Sequence, residues 1–351
     1  MKYMSLFSGI GGFEIAIHNI FPDAVCVGFS EVDKHAIAVY KHHFPTHENM
    51  GSVTDITEKQ IKKIIKDNGG IDLIIGGFPC QNLSSMARCF TTTNSHGLEG
   101  PKSSLFYIMI QIIKWINKHN PIQIHLLAEN NASMSRVNKK LITDPFEGVF
   151  EIPVYCTELN GADFGVQRRR RLYWTTWEVS SHGIVCEQTW NDVLEPVDYN
   201  LCMNDKQIIN SGNKLFPSTK NKSYRIAEKV STKVWKFIDM NSGEYESNWQ
   251  RFMCSDTGNN KSSTIRRGRN IDTCVLDRRI SKRKNRFLIR YFSVTELERL
   301  FWIPEGWVGN LYSKTRCSML LGNTVIVKVI EYIVSILFEK NSIKKAPTKP
   351  R

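Results

Sequence analysis

The chain has 351 residues, 41% of them hydrophobic and 23% charged. This is the composition of a globular protein with one large core or two unequal ones, and it excludes a fibrous or wholly disordered chain. No run approaches the ~18 apolar residues of a membrane span, and the formal charge of +13 points away from acidic scaffolds.

The nine cysteines are odd in number and scattered without a Cys-x-x-Cys pair. That pattern argues against a disulfide framework and a structural zinc site, so no metal and no membrane partner are expected. Met1 to Leu6 runs straight into a strand-like segment, without the apolar core and cleavage site of a signal peptide. A reducing intracellular compartment fits: cytoplasm or nucleoid in a prokaryotic or viral setting, the nucleus in a eukaryotic one.

Residues 1–178 alternate strand-like and helix-like segments. Tyr3 to Phe7 reads as a strand, Gly9 to Gly12 as a turn and Phe13 to Asn19 as the start of a helix. Ala24 to Phe29 is the next strand and Lys34 to His43 the next helix. Ile71 to Ile75 is a strand, Leu105 to Lys118 an amphipathic helix and Ile122 to Ala128 another strand. Strands alternating with helices, and apolar without polar alternation, imply an α/β fold with a parallel sheet covered on both faces. From 179 to 288 the periodicity fails and Asn, Ser, Lys and Arg dominate, as in a smaller domain rich in loops. Regular pattern returns over 289–340, with helices at Thr295 to Leu300 and Val325 to Phe338. Residues 341–351, basic with two prolines, read as a disordered tail.

The charge is concentrated. Residues 205–290 carry 20 Lys and Arg against eight Asp and Glu, a net of +12, so nearly the whole excess lies in one quarter of the chain. A solvated surface would spread its charge; this bias fits a polyanion, most simply nucleic acid.

Two segments carry chemistry. Gly76-Gly77-Phe78-Pro79-Cys80-Gln81 follows an apolar strand, so a tight glycine turn delivers Cys80 to the lip of the sheet. A nucleophile entering a substrate pocket belongs there, whereas a thiol packed for stability more often lies inside the apolar run. Phe7-Ser8-Gly9-Ile10-Gly11-Gly12 follows the first strand and opens a helix, so backbone can approach a ligand closely. Glu31 ends the second strand, twenty residues after Gly11, where a carboxylate binds ribose hydroxyls. The dinucleotide fingerprint needs glycine at position 14, which is Glu14, a poor neighbour for a pyrophosphate. The fitting ligand is a nucleoside without phosphates, and S-adenosylmethionine is one; the alternative is a glycine-rich turn with no ligand.

With these segments in place, the chain resembles the DNA (cytosine-5)-methyltransferase family along nearly all its length. Phe7 to Gly12 is similar to the family's first cofactor motif and Ser30-Glu31-Val32-Asp33 to its second. Gly77 to Gln81 resembles the catalytic motif and Ser104-Leu105-Phe106 a further cofactor wall. Glu129-Asn130-Asn131 is similar to Glu-Asn-Val, and Gln167-Arg168-Arg169-Arg170-Arg171 to Gln-x-Arg-x-Arg. Arg290 to Pro304 resembles a structural motif, and Gly322-Asn323-Thr324-Val325 the closing Gly-Asn-Ser-Val. Asn131 stands for valine, Thr324 for serine, and Ser52 for an aspartate that would contact the adenine amino group.

The resemblance implies a mixed, mostly parallel Rossmann-like S-adenosylmethionine-dependent domain and a target-recognition domain over 179–288, where the charge lies. It implies a double-stranded DNA partner, a monomer acting on DNA, and roles in restriction-modification or other DNA methylation. The catalytic set is Cys80 with Pro79, Glu129, Gln167, Arg169 and Arg171. Cys80 would add to C6 of a flipped-out cytosine and Glu129 would supply a proton at N3, with Arg169 and Arg171 holding O2 and orienting Glu129. Cofactor contacts are expected from Phe7, Gly9, Ile10, Gly11, Gly12, Glu31, Val32, Ser52, Val53, Gly77, Pro79, Leu105, Asn323 and Val325. Gln81, Ser84, Ser85 and Arg88, on a loop that would close as a lid, and Thr264, Arg266, Arg267 and Arg269 are expected at DNA. A transfer RNA cytosine-5 methyltransferase of the same fold, and a non-catalytic DNA-binding regulator, are the other readings; an oxidoreductase is disfavoured by the incomplete fingerprint.

Overall fold

The apolar stretch Lys2–Leu6 forms β1, flanked on one side by β2 (Val25–Ser30) and on the other by β3 (Leu73–Gly76), all parallel. This computed structural model describes residues 1–79, 105–196, 226–229, 234–239, 243–248, 255–256, 261–262, 264–265, 274–277, 279 and 286–345. The chain forms two compact units: Met1–Asn160, Arg170–Ile184 and Thr324–Arg351, and Gly161–Arg169 with Val185–Asn323.

In the first unit the sheet order is β2-β1-β3-β4-β6-β5, with β4 at His125–Asn131, β5 at Tyr155–Asn160 and β6 at Arg170–Thr175. Only β6 runs against the others. The chain passes from β1 outward to β2 and then to β3 on the opposite side, so the strand order reverses at β1. The crevice at the carboxyl ends of such strands is where α/β sheets bind ligands. Leu6 is level with Ser30 and with Gly76, and Gly76 with Ala128, so the segments that follow emerge together at one edge.

The helices are bounded by local signals. Helix α1 (Gly12–Ile20) starts behind Gly11 in left-handed conformation, and α2 (Lys34–His43) behind Asp33, whose carboxylate accepts from the His35 and Ala36 amides. Helix α3 (Glu58–Asn68) has a Thr57–Gln60 capping box and ends at a left-handed Gly69. Helix α4 (Leu105–His119) buries Phe106, Met109, Ile110, Ile113 and Ile116, the i, i+3, i+4 stripe of a helix against a sheet. With Ile74, Leu126, Phe146 of α5 (Arg136–Glu147) and Trp174, that stripe makes the core beneath the crevice.

The second unit carries its own sheet, in the order β10-β11-β12-β7-β8-β9. Its strands are β7 (Ile226–Lys229), β8 (Val234–Asp239), β9 (Gly243–Asn248), β10 (Ser255–Asp256), β11 (Cys274–Asp277) and β12 (Arg286–Tyr291). Pairing is antiparallel except between β10 and β11. Among the described residues, the region read as rich in loops thus carries five strands and the start of a sixth. Segments such as Gly243–Asn248 are short and mostly polar, so no apolar alternation announced them.

After the short α6 (Trp190–Val193), α7 (Val294–Leu300) opens with a Ser293–Glu296 capping box. The buried Arg290 guanidinium lies 2.7 Å from Glu296 and 3.1 Å from Asp277. Burial alone would raise the Asp277 pKa, but Arg279 and Arg290 together hold it below the ordinary range. Helix α8 (Lys314–Leu321) follows. The last helix, α9 (Val327–Lys345), starts two residues later than Val325 and runs five residues into the stretch expected to be a disordered tail. Among the described residues no helix is long and apolar enough to cross a membrane.

Candidate active site

The first cofactor segment leaves β1 through two left-handed residues, Phe7 at φ 57° and Gly9 at φ 57°. A positive φ is costly for phenylalanine and is held here by its surroundings, as at many ligand clamps. The turn aims the Gly9 amide at Glu31, whose Oε2 accepts from it at 2.9 Å. The other oxygen, Oε1, accepts from the Val32 and Asp33 amides, both at 2.8 Å. The carboxylate is thus fixed at the end of β2, with the Val32 side chain beside it 69% exposed.

A Cβ added at Gly9 or at Gly51 would meet nothing within 4 Å, so both glycines border open space. A carboxylate with fixed oxygens, an exposed apolar side chain and bare backbone fit a nucleoside, and this set would hold the adenosine end of S-adenosylmethionine. Ser52 caps the short turn Val53–Asp55, accepting from the Thr54 amide, and its hydroxyl lies 2.7 Å from that of Thr54. Ile10 and Val53 are buried in the core, 1% and 4% exposed, so only their backbone can meet a ligand. Leu105 opens α4 and packs partly against the core.

Gly12 packs so closely on the closing motif that an added Cβ would overlap Thr324 Oγ1 and approach Val325 Cγ2 to 3.1 Å. Asn323, expected beside Val325, falls in the second unit, where its amide donates to the Leu320 carbonyl.

Glu14 is fully buried, and Tyr40 Oη donates to its Oε1 at 3.2 Å. Burial pushes its carboxyl up to about 7 against the lowering hydrogen bonds of Ser5 and Tyr40. Tyr40 also contacts His47 Nδ1 at 3.1 Å, and burial lowers the His47 imidazole to about 4.

At the end of β3, the Phe78 carbonyl accepts from Asn130 Nδ2 at 3.0 Å, which ties the Gly-Phe-Pro segment to β4. Glu129 lies within β4, not at its end, because pairing with β6 carries the strand on to Asn131. Its Oε1 stands 2.7 Å from Arg171 Nε, with the two side chains 14% and 13% exposed. Its Oε2 lies against Gly77, where a Cβ would come within 3.1 Å. Gly77, Glu129 and Arg171 therefore form one cluster at the carboxyl edge of the sheet, with Pro79 two residues beyond Gly77. Such a cluster can hold a planar polar ring by hydrogen bonds. Cys80 lies outside the described residues, as do Gln81, Ser84, Ser85, Arg88, Arg266, Arg267 and Arg269.

Arg169 belongs to the second unit. Expected with Arg171 at the base, it precedes β6, which begins only at Arg170. The Arg169 guanidinium donates to the Ile265 carbonyl at 3.1 Å and to the Gly322 carbonyl at 3.2 Å, over the face of Phe301. Gln167, 1% exposed, donates to the Leu300 carbonyl at 3.1 Å. Both side chains thus bind backbone of the second unit. The Thr264 hydroxyl donates to the Arg168 carbonyl, and Arg170 pairs with Glu158 at 2.6 Å. Among the described residues no group of three or more His, Cys, Asp or Glu is arranged to hold a metal. The roles of Asn49, described below, and Asn130 were not read from the sequence. A loop asparagine has no pattern of its own, and the amide of Asn130 acts through tertiary geometry.

Residues 1–339 match the family model of the C-5 cytosine-specific DNA methylases. The chain belongs to this family. The C-5 methylase relatives include the orphan methyltransferase M.Rho11sI of Bacillus phage rho11s, 37% identical over 190 residues, which is 49% of this chain and 32% of that protein. The type II methyltransferase M.HhaI of Haemophilus parahaemolyticus is 28% identical over 174 residues, 49% of this chain and 48% of that one. The matched stretch thus spans less than half the length of either relative. Among solved structures, EhMeth of Entamoeba histolytica superposes with a TM-score of 0.68 over 97% of this chain and 98% of its own, at 13% identity. The Dnmt2 methyltransferase of S. pombe gives 0.66 over 97% and 99%, at 16% identity. These structural likenesses establish the C-5 methylase fold, an α/β fold with a mixed, mostly parallel sheet.

Proposed function

We propose that the chain is an S-adenosylmethionine-dependent DNA (cytosine-5)-methyltransferase, acting as a monomer on double-stranded DNA and on a cytosine flipped out of the stack. The observation that carries this reading is the Gly77–Glu129–Arg171 cluster. A carboxyl group braced by a guanidinium lies against the turn that leads within three residues to Cys80.

Cytosine C5 is a poor nucleophile. Addition of the Cys80 thiolate at C6 makes C5 enamine-like, and a proton from the Glu129 carboxyl at N3 relieves the negative charge of the ring. Bound S-adenosylmethionine would supply the methyl group that C5 takes. A base then takes the C5 proton, the freed electron pair expels the Cys80 thiolate, and the N3 proton returns to Glu129, which restores the aromatic ring. Arg171, which pairs with Glu129, would also donate to the cytosine O2. Glu31, Val32 and the backbone of Gly9 and Gly51 would hold the adenosine, with Ser52 taking the adenine amino group. The net charge of +12 over residues 205–290 supports a polyanionic substrate.

The test is transfer of tritiated methyl to duplex DNA and to transfer RNA, with bisulfite sequencing of the treated DNA. We expect label in DNA at cytosine C5 in one sequence context; label in transfer RNA alone would overturn the choice of substrate. An oligonucleotide carrying 5-fluorocytosine should become covalently attached at Cys80 when the methyl donor is present. Cys80→Ser should bind DNA and transfer nothing. A native protein that binds DNA yet methylates neither substrate is a regulator.

A further inference from the structure

Beside the end of β2 the chain makes one more pass, residues 48–50, and pairs with Phe29. The Phe29 amide donates to the Glu48 carbonyl at 2.9 Å and the Met50 amide to the Phe29 carbonyl at 2.7 Å. Backbone pairing stops there, and the side chain of Asn49 takes over. Its Oδ1 accepts from the Glu31 amide at 3.3 Å, and its Nδ2 donates to the Glu31 carbonyl at 3.2 Å. One side-chain amide thus continues the ladder a step past its last backbone rung. The same Oδ1 accepts from the Gly51 amide at 3.0 Å, and the Gly51 carbonyl accepts from Ser30 Oγ at 2.6 Å. Only one orientation of the amide satisfies all three contacts, since the partners are two donors and one acceptor.

Glu31 and Ser52 are the two polar side chains assigned above to opposite ends of the adenosine, and they lie on different segments. Asn49 bonds the backbone of the first and the residue next to the second. We propose that Asn49 is a positioning residue of the cofactor site, whose amide fixes the distance between Glu31 and the Gly51–Ser52 turn before the nucleoside arrives. This rests on the cofactor reading given under Proposed function. The physical content is preorganisation: a site held in its bound geometry loses less entropy on binding. Gly51, at φ 78° with open space beside it, would otherwise be held by the Ser30 hydroxyl alone. Asp at position 49 keeps the two accepting contacts but turns a second oxygen on the Glu31 carbonyl; Leu keeps the bulk and loses all three.

The experiment is titration calorimetry of S-adenosylhomocysteine on the full chain. It compares the native protein with Asn49→Leu, Asn49→Asp and Glu31→Gln, and with Glu31→Gln combined with each position-49 change; far-UV circular dichroism checks folding. We expect the dissociation constant to rise about tenfold in Asn49→Leu and less in Asn49→Asp. We also expect Glu31→Gln to cost much less in either Asn49 variant than in the native chain, because a displaced carboxylate has little left to lose. A merely structural asparagine would leave the Glu31→Gln effect unchanged, and that additivity, or binding within twofold of native in Asn49→Leu, overturns the proposal. If Asn49→Leu does not fold, the Asn49→Asp series decides by the same criteria. Failure of the native chain to bind the probe would instead sink the cofactor reading itself.

Discussion

Arg171 and Glu129 lie diagonally across the antiparallel pair β4–β6: Arg171 faces Asn131 in the register, and its Nε reaches back 2.7 Å from Glu129 Oε1. Residues so placed share one face of the sheet. The contact therefore follows from strand register and does not depend on a loop.

Breaking this pair should disorient the carboxyl group without unfolding the sheet. For Arg171→Ala we expect single-turnover methyl transfer to fall about 10²-fold. Glu129→Gln should fall at least as far, and the double variant no further, since the two side chains act as one unit. Multiplicative losses would show that they act separately.

Gly77→Ala tests the other side of the same carboxyl. The new methyl group would stand 3.1 Å from Glu129 Oε2, closer than ordinary contact, so the carboxylate must shift. The shift required is a few tenths of an ångström, and since about 1 Å at a reacting group costs up to about 10²-fold in rate, the loss here should be smaller, up to about tenfold. The turnover number should drop while affinity for duplex DNA stays at its native value; an unchanged turnover number would remove Glu129 from the reacting position.

Gly12→Ala should be a stability variant. Its Cβ would overlap Thr324 Oγ1 and crowd Val325, and overpacking of this kind costs about 1–3 kcal/mol. Urea unfolding should register the loss. Thr324→Ala, which removes the obstructing oxygen, should restore part of it in the double variant.

Glu14 predicts a slope in stability against pH. Its folded carboxyl titrates at about 7 instead of the ordinary 4.5, so between those values the folded chain binds more protons than the unfolded one. Stability from this group is complete below the ordinary value and falls as pH rises through the window, by at most about 1.4 kcal/mol per pH unit. Glu14→Gln keeps an acceptor for Tyr40 and should flatten the decline between pH 4.5 and 7, read by denaturant midpoints at fixed pH. An identical slope in the variant would assign it elsewhere.

Much of the first unit was legible because its strands are buried on both sides. The run Ile71 to Ile75 could hardly be anything else, and the helix over Lys34–His43 begins and ends where its Asp33 cap and basic last turn place it. The motif order led to the Glu31 and Gly77 positions. The sequence was silent where tertiary contact decides. Arg169 and Arg171 are two residues apart and chemically alike, yet one is drawn to the Ile265 and Gly322 carbonyls and the other to Glu129. Helix α3 begins at a capping box, Thr57 and Gln60, and does not figure among the expected helices. The second sheet escaped notice because its strands are short and differ in pattern, mostly apolar in Val234–Asp239 and mostly polar in Gly243–Asn248, so no common period-two signal runs through them.

The boundary between the two units falls inside the arginine run, after Arg169 and before Arg170, and the second unit consists of 161–169 together with 185–323. Anyone grafting a foreign recognition module onto this scaffold by replacing 185–323 alone would leave nine native residues stranded. Gln167 and Arg169 would then need to find equivalents of the Leu300, Ile265 and Gly322 carbonyls on an unrelated chain. The transplantable part is bipartite, and chimaeras that carry both pieces from one donor should be the ones that stay soluble.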